Sequence, residues 1–271
     1  MDSHMIELLQ LPFIQRSLTA AVIAGFLLPL IGNYIVPKKL SLLGDSSSHV
    51  AFAAMGVTAL LGLGTDFLVY VLPALAIYIT LQLTNRFKIS GDQALAIMLT
   101  IAAAVASLSI SFGARVNLSA VLFGSLLFVT VEDVLTSLSV AVATVSFVFI
   151  NFGKTILYIL NEELARIRGI NVRLYQFFFA VVAGLSVVTG IKIAGVLLVT
   201  ALIAVPTAAA TLVSRSFRAA LTTSIAVGMT ATCSGVFLSY YTGVTPGAAS
   251  VLILGTVLVI SAVLRRLGLR I

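Results

Sequence analysis

The amino-acid sequence predicts an all-α protein, a polytopic bundle of transmembrane helices. Of its 271 residues, 60% are hydrophobic and 9% are charged, whereas water-soluble domains contain about 25% charged residues. The mean hydropathy is +1.18, and the chain divides into apolar stretches long enough to cross a bilayer. Because so few polar residues cannot solvate a globule, the composition argues against a soluble enzyme, a disordered tail and a nucleic-acid-binding domain.

The predicted spans follow from the length that a bilayer requires. A transmembrane helix needs about 20 consecutive, mostly apolar residues, and this criterion predicts roughly nine spans. A shorter apolar stretch at residues 119–130 suits a half-helix or a re-entrant segment packed inside the bundle. The predicted spans are residues 12–36, 47–64, 67–84, 93–112, 132–152, 174–190, 193–213, 219–240 and 247–264.

The basic residues predict the orientation of these spans. Cytoplasmic loops of membrane proteins are enriched in Lys and Arg. With the N-terminus outside and nine spans, 13 of the 16 basic residues fall on the inner side, and only Arg16, Arg115 and Lys192 lie outside. The sequence therefore predicts an N-out, C-in topology.

The chain is expected to form one membrane domain. Residues 1–4 resemble a tag remnant, so His4 is left out of the chemistry, and residues 5–271 are expected to form a single transmembrane domain. Cys233 is the only cysteine, which excludes an intrachain disulfide and a cysteine-based metal cluster.

Asp45 and His49 are the strongest candidate for a metal site. The two residues are four positions apart, so on a helix their side chains share one face. A carboxylate and an imidazole suit zinc, manganese or ferrous iron, and ionisable groups within a membrane span mark a site or a pathway by default. The alternative is that Asp45 caps the helix and His49 hydrogen-bonds a neighbouring helix.

Residues 161–170 form the second informative segment. Leu164, Ala165 and Ile167 lie among charged residues and predict a short amphipathic helix, which Gly169 ends. This segment lies in the longest predicted inner loop, where a soluble partner would have the largest surface to bind. The alternative is that the segment is only a solvated connector between two spans.

Two further groups of residues carry weaker signals. Gly195 and Pro206, which lie in the predicted span 193–213, predict a closely packed, kinked helix that could move. Packing alone would also explain both residues. Asp66, Glu132 and Asp133 fall on the outer side and could attract cations at an outer mouth, or simply solvate the surface and cap a helix.

Taken in order, these segments resemble the membrane subunit of the ABC-type zinc, manganese and iron importers. The resemblance extends from about Met5 to Arg266. Four groups of residues carry it: 44–45 with 48–49, 123–126 with 132–133, 161–165 with 169–170, and 195–199 with 206–208.

The resemblance implies a fold, a set of partners and roles for individual residues. It implies a type II importer permease of the vitamin B12 permease kind, working as two permeases with two cytoplasmic ABC ATPase subunits and an extracytoplasmic metal-binding protein. ATP would be hydrolysed on the separate ATPase, and no cofactor would be bound permanently. The metal ligands would be Asp45 and His49, and the ATPase-coupling residues would be Asn161, Glu162, Glu163, Leu164, Ala165, Arg166 and Gly169.

The expected function is import of a divalent transition metal across a prokaryotic inner or plasma membrane. Zinc is favoured by the sequence around His49, with manganese or iron as other substrates. Two alternatives remain open at this point. One is an ABC permease for a metal chelate such as a cobalamin or a siderophore, and the other is a secondary carrier that needs no ATPase.

Overall fold

The regular elements of the chain are helices throughout its described part. The computed structural model describes residues 11–62, 66–114, 124, 126 and 129–268. Within these residues the helices are α1 (Pro12–Ile35), α2 (Leu43–Leu61), α3 (Asp66–Phe87), α4 (Gly91–Ser111), α5 (Val131–Ile150), α6 (Phe152–Leu160), α7 (Glu162–Ile167), α8 (Val172–Ala194), α9 (Val196–Val213), α10 (Phe217–Thr242) and α11 (Pro246–Arg266), with a 3-10 turn at Val36–Lys38.

The predicted transmembrane bundle is confirmed. Eight of the described helices are long and apolar enough to cross a membrane. The remaining predicted span, residues 47–64, corresponds to α2, a 19-residue helix that is less apolar because it carries Asp45, three serines and His49. Helix α2 also begins at Leu43, about one turn earlier than predicted, so both candidate ligands lie within the helix. The half-helix predicted at residues 119–130 lies largely outside the described residues.

The packing groups the chain into two compact units. One unit contains Met1–Asn33, Ser119–Ala141 and Thr189–Ile271, and the other contains Tyr34–Leu118 and Val142–Val188. The chain passes between the units several times, and the expectation of a single domain remains a prediction.

Small side chains bring helices together in the unit that contains Asp45 and His49. Helices α2, α3 and α4 pack on one another through Val50, Ala53, Ala76, Ala102 and Ala106. At Gly56 of α2, an added Cβ atom would lie 2.8 Å from the Cβ atom of Ser109 on α4. In lipid the hydrophobic effect does not drive helices together, so their association depends on the close van der Waals packing that Gly, Ala and Ser allow.

The other unit uses the same principle. Gly32 of α1 lies against α9, where a Cβ atom would come within 2.3 Å of the Ile203 carbonyl oxygen. Gly228 of α10 approaches α1 as closely, and Asn33 donates a hydrogen bond of 2.6 Å to Ser224 on α10. Interhelical hydrogen bonds of this kind satisfy polar groups that lipid cannot solvate.

Candidate functional site

Asp45 and His49 lie on the first two turns of α2, at the end that follows the inner basic loop. Asp45 is in the first turn of the helix, and both side chains are half-buried. One helical turn separates them, as the spacing predicts, so the two side chains share a face. The sequence-predicted pair is therefore presented together on one face of a single helix.

The side chains of Asp45 and His49 form no hydrogen bond or ion pair with the other described residues. Residue Leu42 precedes α2 without a side-chain cap, and no hydrogen bond or ion pair joins Asp45 or His49 to another described residue. The two contacts that the alternative interpretation requires are thus not made by the described residues. No third His, Cys, Asp or Glu joins the pair within the part of the chain that was searched, so a four-coordinate site needs donors from elsewhere.

The segment 161–170 forms a capped single-turn helix outside the long spans. The Asn161 side chain accepts a hydrogen bond of 3.0 Å from the Leu164 backbone N–H, which satisfies one free donor at the start of α7. At its end, Gly169 adopts φ +78° and the Ile170 N–H bonds back to the Ala165 carbonyl. The predicted helix end at Gly169 is confirmed, because a left-handed residue closes the turn.

Helix α7 exposes its larger apolar side chains. Ala165 is fully buried, whereas Leu164 is 42% exposed and Ile167 is 81% exposed. Glu163 and Arg166 are also exposed. The buried alanine positions the helix, and the two exposed apolar residues leave a surface of mixed character that resembles the contact area of a protein partner more than a solvated connector.

Glu162 links α7 to α8 and to the turn before α2. Its carboxylate accepts hydrogen bonds from Arg166 at 3.0 Å and from Gln176 of α8 at 3.5 Å. It also lies 3.8 Å from the Lys38 ammonium in the turn before α2. Gln176 in turn accepts a hydrogen bond of 3.0 Å from Gln82 of α3. A continuous polar network therefore joins the candidate coupling segment to the loop that leads into the candidate metal helix.

The Lys38 ammonium has a second partner, the aromatic ring of Tyr158. The ammonium nitrogen lies 3.2 Å from the ring centroid, within the range of a cation–π contact. Burial raises the pKa of the Tyr158 hydroxyl above its usual range, so the ring stays neutral at physiological pH. Lys38 is thus held between a carboxylate and an aromatic face.

Sequence reasoning missed Lys38, Tyr158 and Gln176. These residues are distant from one another along the chain, and a single Lys, Tyr or Gln near a membrane boundary has an ordinary explanation as an interfacial residue. A signal was present in Lys38, which directly follows Pro37 and lies seven residues before Asp45, but only the fold shows its partners.

The outer-mouth candidates behave differently from one another. Asp133 accepts hydrogen bonds from the Thr130 backbone N–H at 3.1 Å and from the Thr130 hydroxyl at 2.6 Å, and the Asp133 N–H bonds back to that hydroxyl. These reciprocal contacts form a helix cap at the start of α5. Glu132 is exposed, and Asp66 begins α3 with a side chain outside the described part of the structure.

We expect the Asp133 carboxylate to contribute to stability rather than to metal uptake. Replacing Asp133 by alanine removes the carboxylate half of this reciprocal cap and leaves the bond from its backbone N–H to Thr130, which costs up to about 1 kcal/mol and should lower the melting temperature of the purified protein by up to about 2–4 °C. Glu132→Ala, one residue away, is the matched control and should leave the melting temperature unchanged. A loss of uptake in Asp133→Ala at unchanged melting temperature would contradict the capping role.

Gly195 has a clear structural reason for its identity, and Pro206 lies buried within α9. Gly195 adopts φ +80° between α8 and α9, and a Cβ atom on Gly124 would lie 2.4 Å from the Gly195 nitrogen. Pro206 is buried inside α9, next to Thr207, whose hydroxyl donates a hydrogen bond of 3.0 Å to the Ile203 carbonyl. The predicted gating role of both residues remains a prediction.

Comparison with known proteins places this geometry in a family context. A model described as the ABC 3 transport family matches residues 10–265. The chain is 26% identical over 248 residues to a manganese transport system membrane protein, MntC, of Listeria innocua, covering 91% of this chain and 88% of that protein. It is 25% identical over 245 residues to the high-affinity zinc uptake system membrane protein ZnuB of Buchnera aphidicola, covering 89% of this chain and 94% of that protein.

A solved structure is similar to this chain in fold as well as in sequence. PsaBC from Streptococcus pneumoniae, solved in complex with a Fab, matches with a TM-score of 0.82 at 27% identity. The match covers 96% of this chain and 95% of the matched chain. Likeness in sequence and in fold therefore extends over nearly the entire length.

Proposed function

The chain belongs to the ABC 3 transport family, and we propose that it imports zinc through a path completed by two copies of the chain, with Asp45 and His49 as the ligands. This protein is the membrane permease of an ABC-type metal importer and a multi-pass protein of the inner membrane.

The observation that supports the ligand assignment is the absence of competing partners. Asp45 and His49 lie one turn apart on α2, and neither side chain forms a hydrogen bond or an ion pair with another described residue. Ionisable groups at membrane depth are costly unless they pair or serve a path. Transient binding of a passing cation satisfies both side chains.

Two copies of the chain would supply enough ligands. Each copy contributes one carboxylate and one imidazole, so a pair of copies offers two of each. Two nitrogens and two oxygens suit tetrahedral zinc, whereas manganese prefers a larger number of oxygen ligands. This donor set favours zinc over manganese or iron as the substrate.

The partners follow from the two ends of the path. On the inner side, the exposed Leu164 and Ile167 of α7 would dock in a cytoplasmic ABC ATPase, with Asn161, Glu163, Arg166 and Gly169 shaping the contact. Glu162 would connect this segment to Gln176 and Lys38. On the outer side, an extracytoplasmic metal-binding protein would deliver the ion. No permanently bound cofactor takes part, since the metal is the substrate.

The substrate can be tested with the permease and its ATPase reconstituted in liposomes. With ATP inside and the metal-binding protein outside, we expect zinc uptake that depends on ATP and that excess unlabelled zinc suppresses better than manganese or iron does. Manganese uptake at lower concentrations than zinc would reverse the metal assignment.

The same assay distinguishes the alternative functions. Uptake that persists without ATPase and follows an ion gradient would indicate a secondary carrier. Uptake of a cobalamin or a siderophore complex, without uptake of the free ion, would indicate a chelate permease. Either result would contradict the proposed function.

A further inference from the structure

A polar cavity lies at the inner ends of α3 and α8, beside the coupling segment. Its volume is about 530 Å³, and three arginines line it: Arg86 of α3, Arg166 of α7 and Arg173 at the start of α8. Its other polar lining residues carry side-chain amides and no acid lines it. The amide residues are Gln82, Asn85, Asn171 and Gln176.

The positive charge of this cavity is only partly neutralised by the described residues. Arg166 pairs with Glu162 at 3.0 Å. Arg86 and Arg173 form no ion pair or hydrogen bond with any described side chain. Two arginines that point into one cavity without a carboxylate repel each other and favour an anionic occupant.

An apolar slot continues from this cavity along α3 and α8. Arg86 and Arg173 also line a second cavity of about 280 Å³, together with Tyr78, Ile79 and Phe87. Tyr78 then belongs to a third cavity of about 270 Å³ whose walls are almost entirely apolar. That third cavity is lined by Tyr70, Val71, Ala74, Leu75, Phe177, Val181 and Leu185.

The dimensions of the slot match one leaflet of a bilayer. From Arg86 to Val71 along α3, the rise of 1.5 Å per residue gives roughly 22 Å. Half of the hydrocarbon core measures about 15 Å, and the remainder covers the headgroup region. The arginines therefore lie at headgroup depth on the inner side, and the apolar walls lie at the depth of acyl chains.

We propose that this cavity and slot bind an anionic phospholipid of the inner leaflet, with its phosphate on Arg86 and Arg173 and an acyl chain against Leu75, Tyr78 and Phe177. Basic pockets between transmembrane helices on the cytoplasmic side bind anionic headgroups. A free phosphate would leave the slot unexplained, and an acidic soluble protein would not reach Leu75. Only an amphiphile matches both the charge and the apolar length.

The position of the site connects the lipid to the coupling segment. Arg166 and Ile170 line the polar cavity and belong to segment 161–170. A bound headgroup therefore contacts the segment that is proposed to meet the ATPase. Lipid binding can be measured on the permease alone, without transport and without the ATPase, so its outcome is independent of the proposed function.

The headgroup contact can be tested by native mass spectrometry of the full-length permease with added phosphatidylglycerol. Replacing Arg86 and Arg173 together by glutamine should weaken retention by about 30-fold, since each basic residue near a membrane surface contributes roughly fivefold and the two factors multiply. Arg265 and Arg266 are exposed arginines at the inner end of α11, so R265Q/R266Q is the matched control and should retain the lipid. Equal loss in both double variants would show general attraction to positive charge and would overturn the site.

The acyl-chain contact needs its own variant and probes. Leu75→Trp fills the slot without changing charge and should lower phosphatidylglycerol retention at least threefold, about 0.65 kcal/mol. Leu252→Trp, at an exposed position on α11, should not. Phosphatidylcholine should bind more weakly than phosphatidylglycerol. Two results would overturn the proposal. One is displacement of the lipid by millimolar inorganic phosphate, and the other is unchanged phosphatidylglycerol retention in Leu75→Trp.

Discussion

Replacing Asp45 by asparagine, or His49 by glutamine, should reduce ATP-dependent metal uptake by more than about 100-fold. Loss of a residue that only supports a metal ligand already costs about 10–100-fold in metal affinity, so loss of a direct ligand should cost more. Both substitutions keep side-chain size nearly constant and remove the donor atom or its charge. Uptake by the reconstituted permease and ATPase, measured with radioactive zinc, is the direct readout.

Asp92→Asn is the matched control for Asp45→Asn. Asp92 is a half-buried carboxylate in the first turn of α4, as Asp45 is in the first turn of α2, and it accepts a hydrogen bond from Ser41. A carboxylate that acts through the positive end of the helix dipole contributes about 0.3–1 kcal/mol at either position. If both variants lose uptake equally, the effect is one of helix stability and Asp45 is not a ligand.

A covalently linked pair of permeases separates one shared site from two independent sites. If each copy donates a carboxylate and an imidazole to a single ion, one His49→Gln copy in the pair should abolish uptake as fully as two. If each copy binds its own ion, the singly substituted pair should keep about half of the uptake, and the shared site would be wrong.

The sequence predicted the spans and the placement of Asp45 and His49 on one helix because both depend on local patterns. About 20 apolar residues in a row and a four-residue spacing between Asp45 and His49 are visible without any knowledge of distant neighbours. The start of α2 was placed too late because Asp45 and three serines lower the hydropathy of its first turns, even though polar residues fit a helix that packs inside protein. Span boundaries read from hydropathy therefore shift wherever a helix faces protein instead of lipid.

The contacts around Glu162 could not be predicted in this way. Lys38 and Gln176 meet Glu162, and Tyr158 meets Lys38, only after four elements have packed together. None of these residues belongs to a periodic pattern. The same limit applies to the arginine cavity, where Arg86 and Arg173 are far apart in the chain. The positive-inside rule predicts that these arginines share one side of the membrane, but not that they converge on one cavity.

Glu162→Gln should lower metal uptake about fivefold or more while the ATPase remains bound, within the range of coupling free energies between linked sites. The substitution leaves Lys38, whose side chain is 14% exposed, without its carboxylate. An unpaired charge in such a position costs more than its pair contributed, so the turn before α2 should lose its fixed position relative to α7. Uptake and ATP hydrolysis are measured on the same preparation, and hydrolysis should continue with less transport.

A double-mutant cycle tests whether Lys38 and Glu162 act as one connection. Lys38→Met alone should have the smaller effect, because Glu162 keeps Arg166 and Gln176 as partners. Lys38→Met combined with Glu162→Gln should be no worse than Glu162→Gln alone, since no unpaired ammonium is left in the pair. Additive losses would show that the two residues act independently.

Neighbouring residues provide the controls that separate transmission from docking. Lys39 and Glu163 are exposed, adjacent to Lys38 and Glu162, and outside the network. Lys39→Met should leave uptake unchanged, and Glu163→Gln, on the surface proposed to meet the ATPase, should weaken ATPase retention instead of the ratio of transport to hydrolysis. Because Lys38 is five residues before α2 begins and Glu162 begins α7, a shift of α7 on ATPase closure would reach the helix that carries Asp45 and His49 through this contact. Loss of ATPase retention in Glu162→Gln would assign Glu162 to docking and remove that connection.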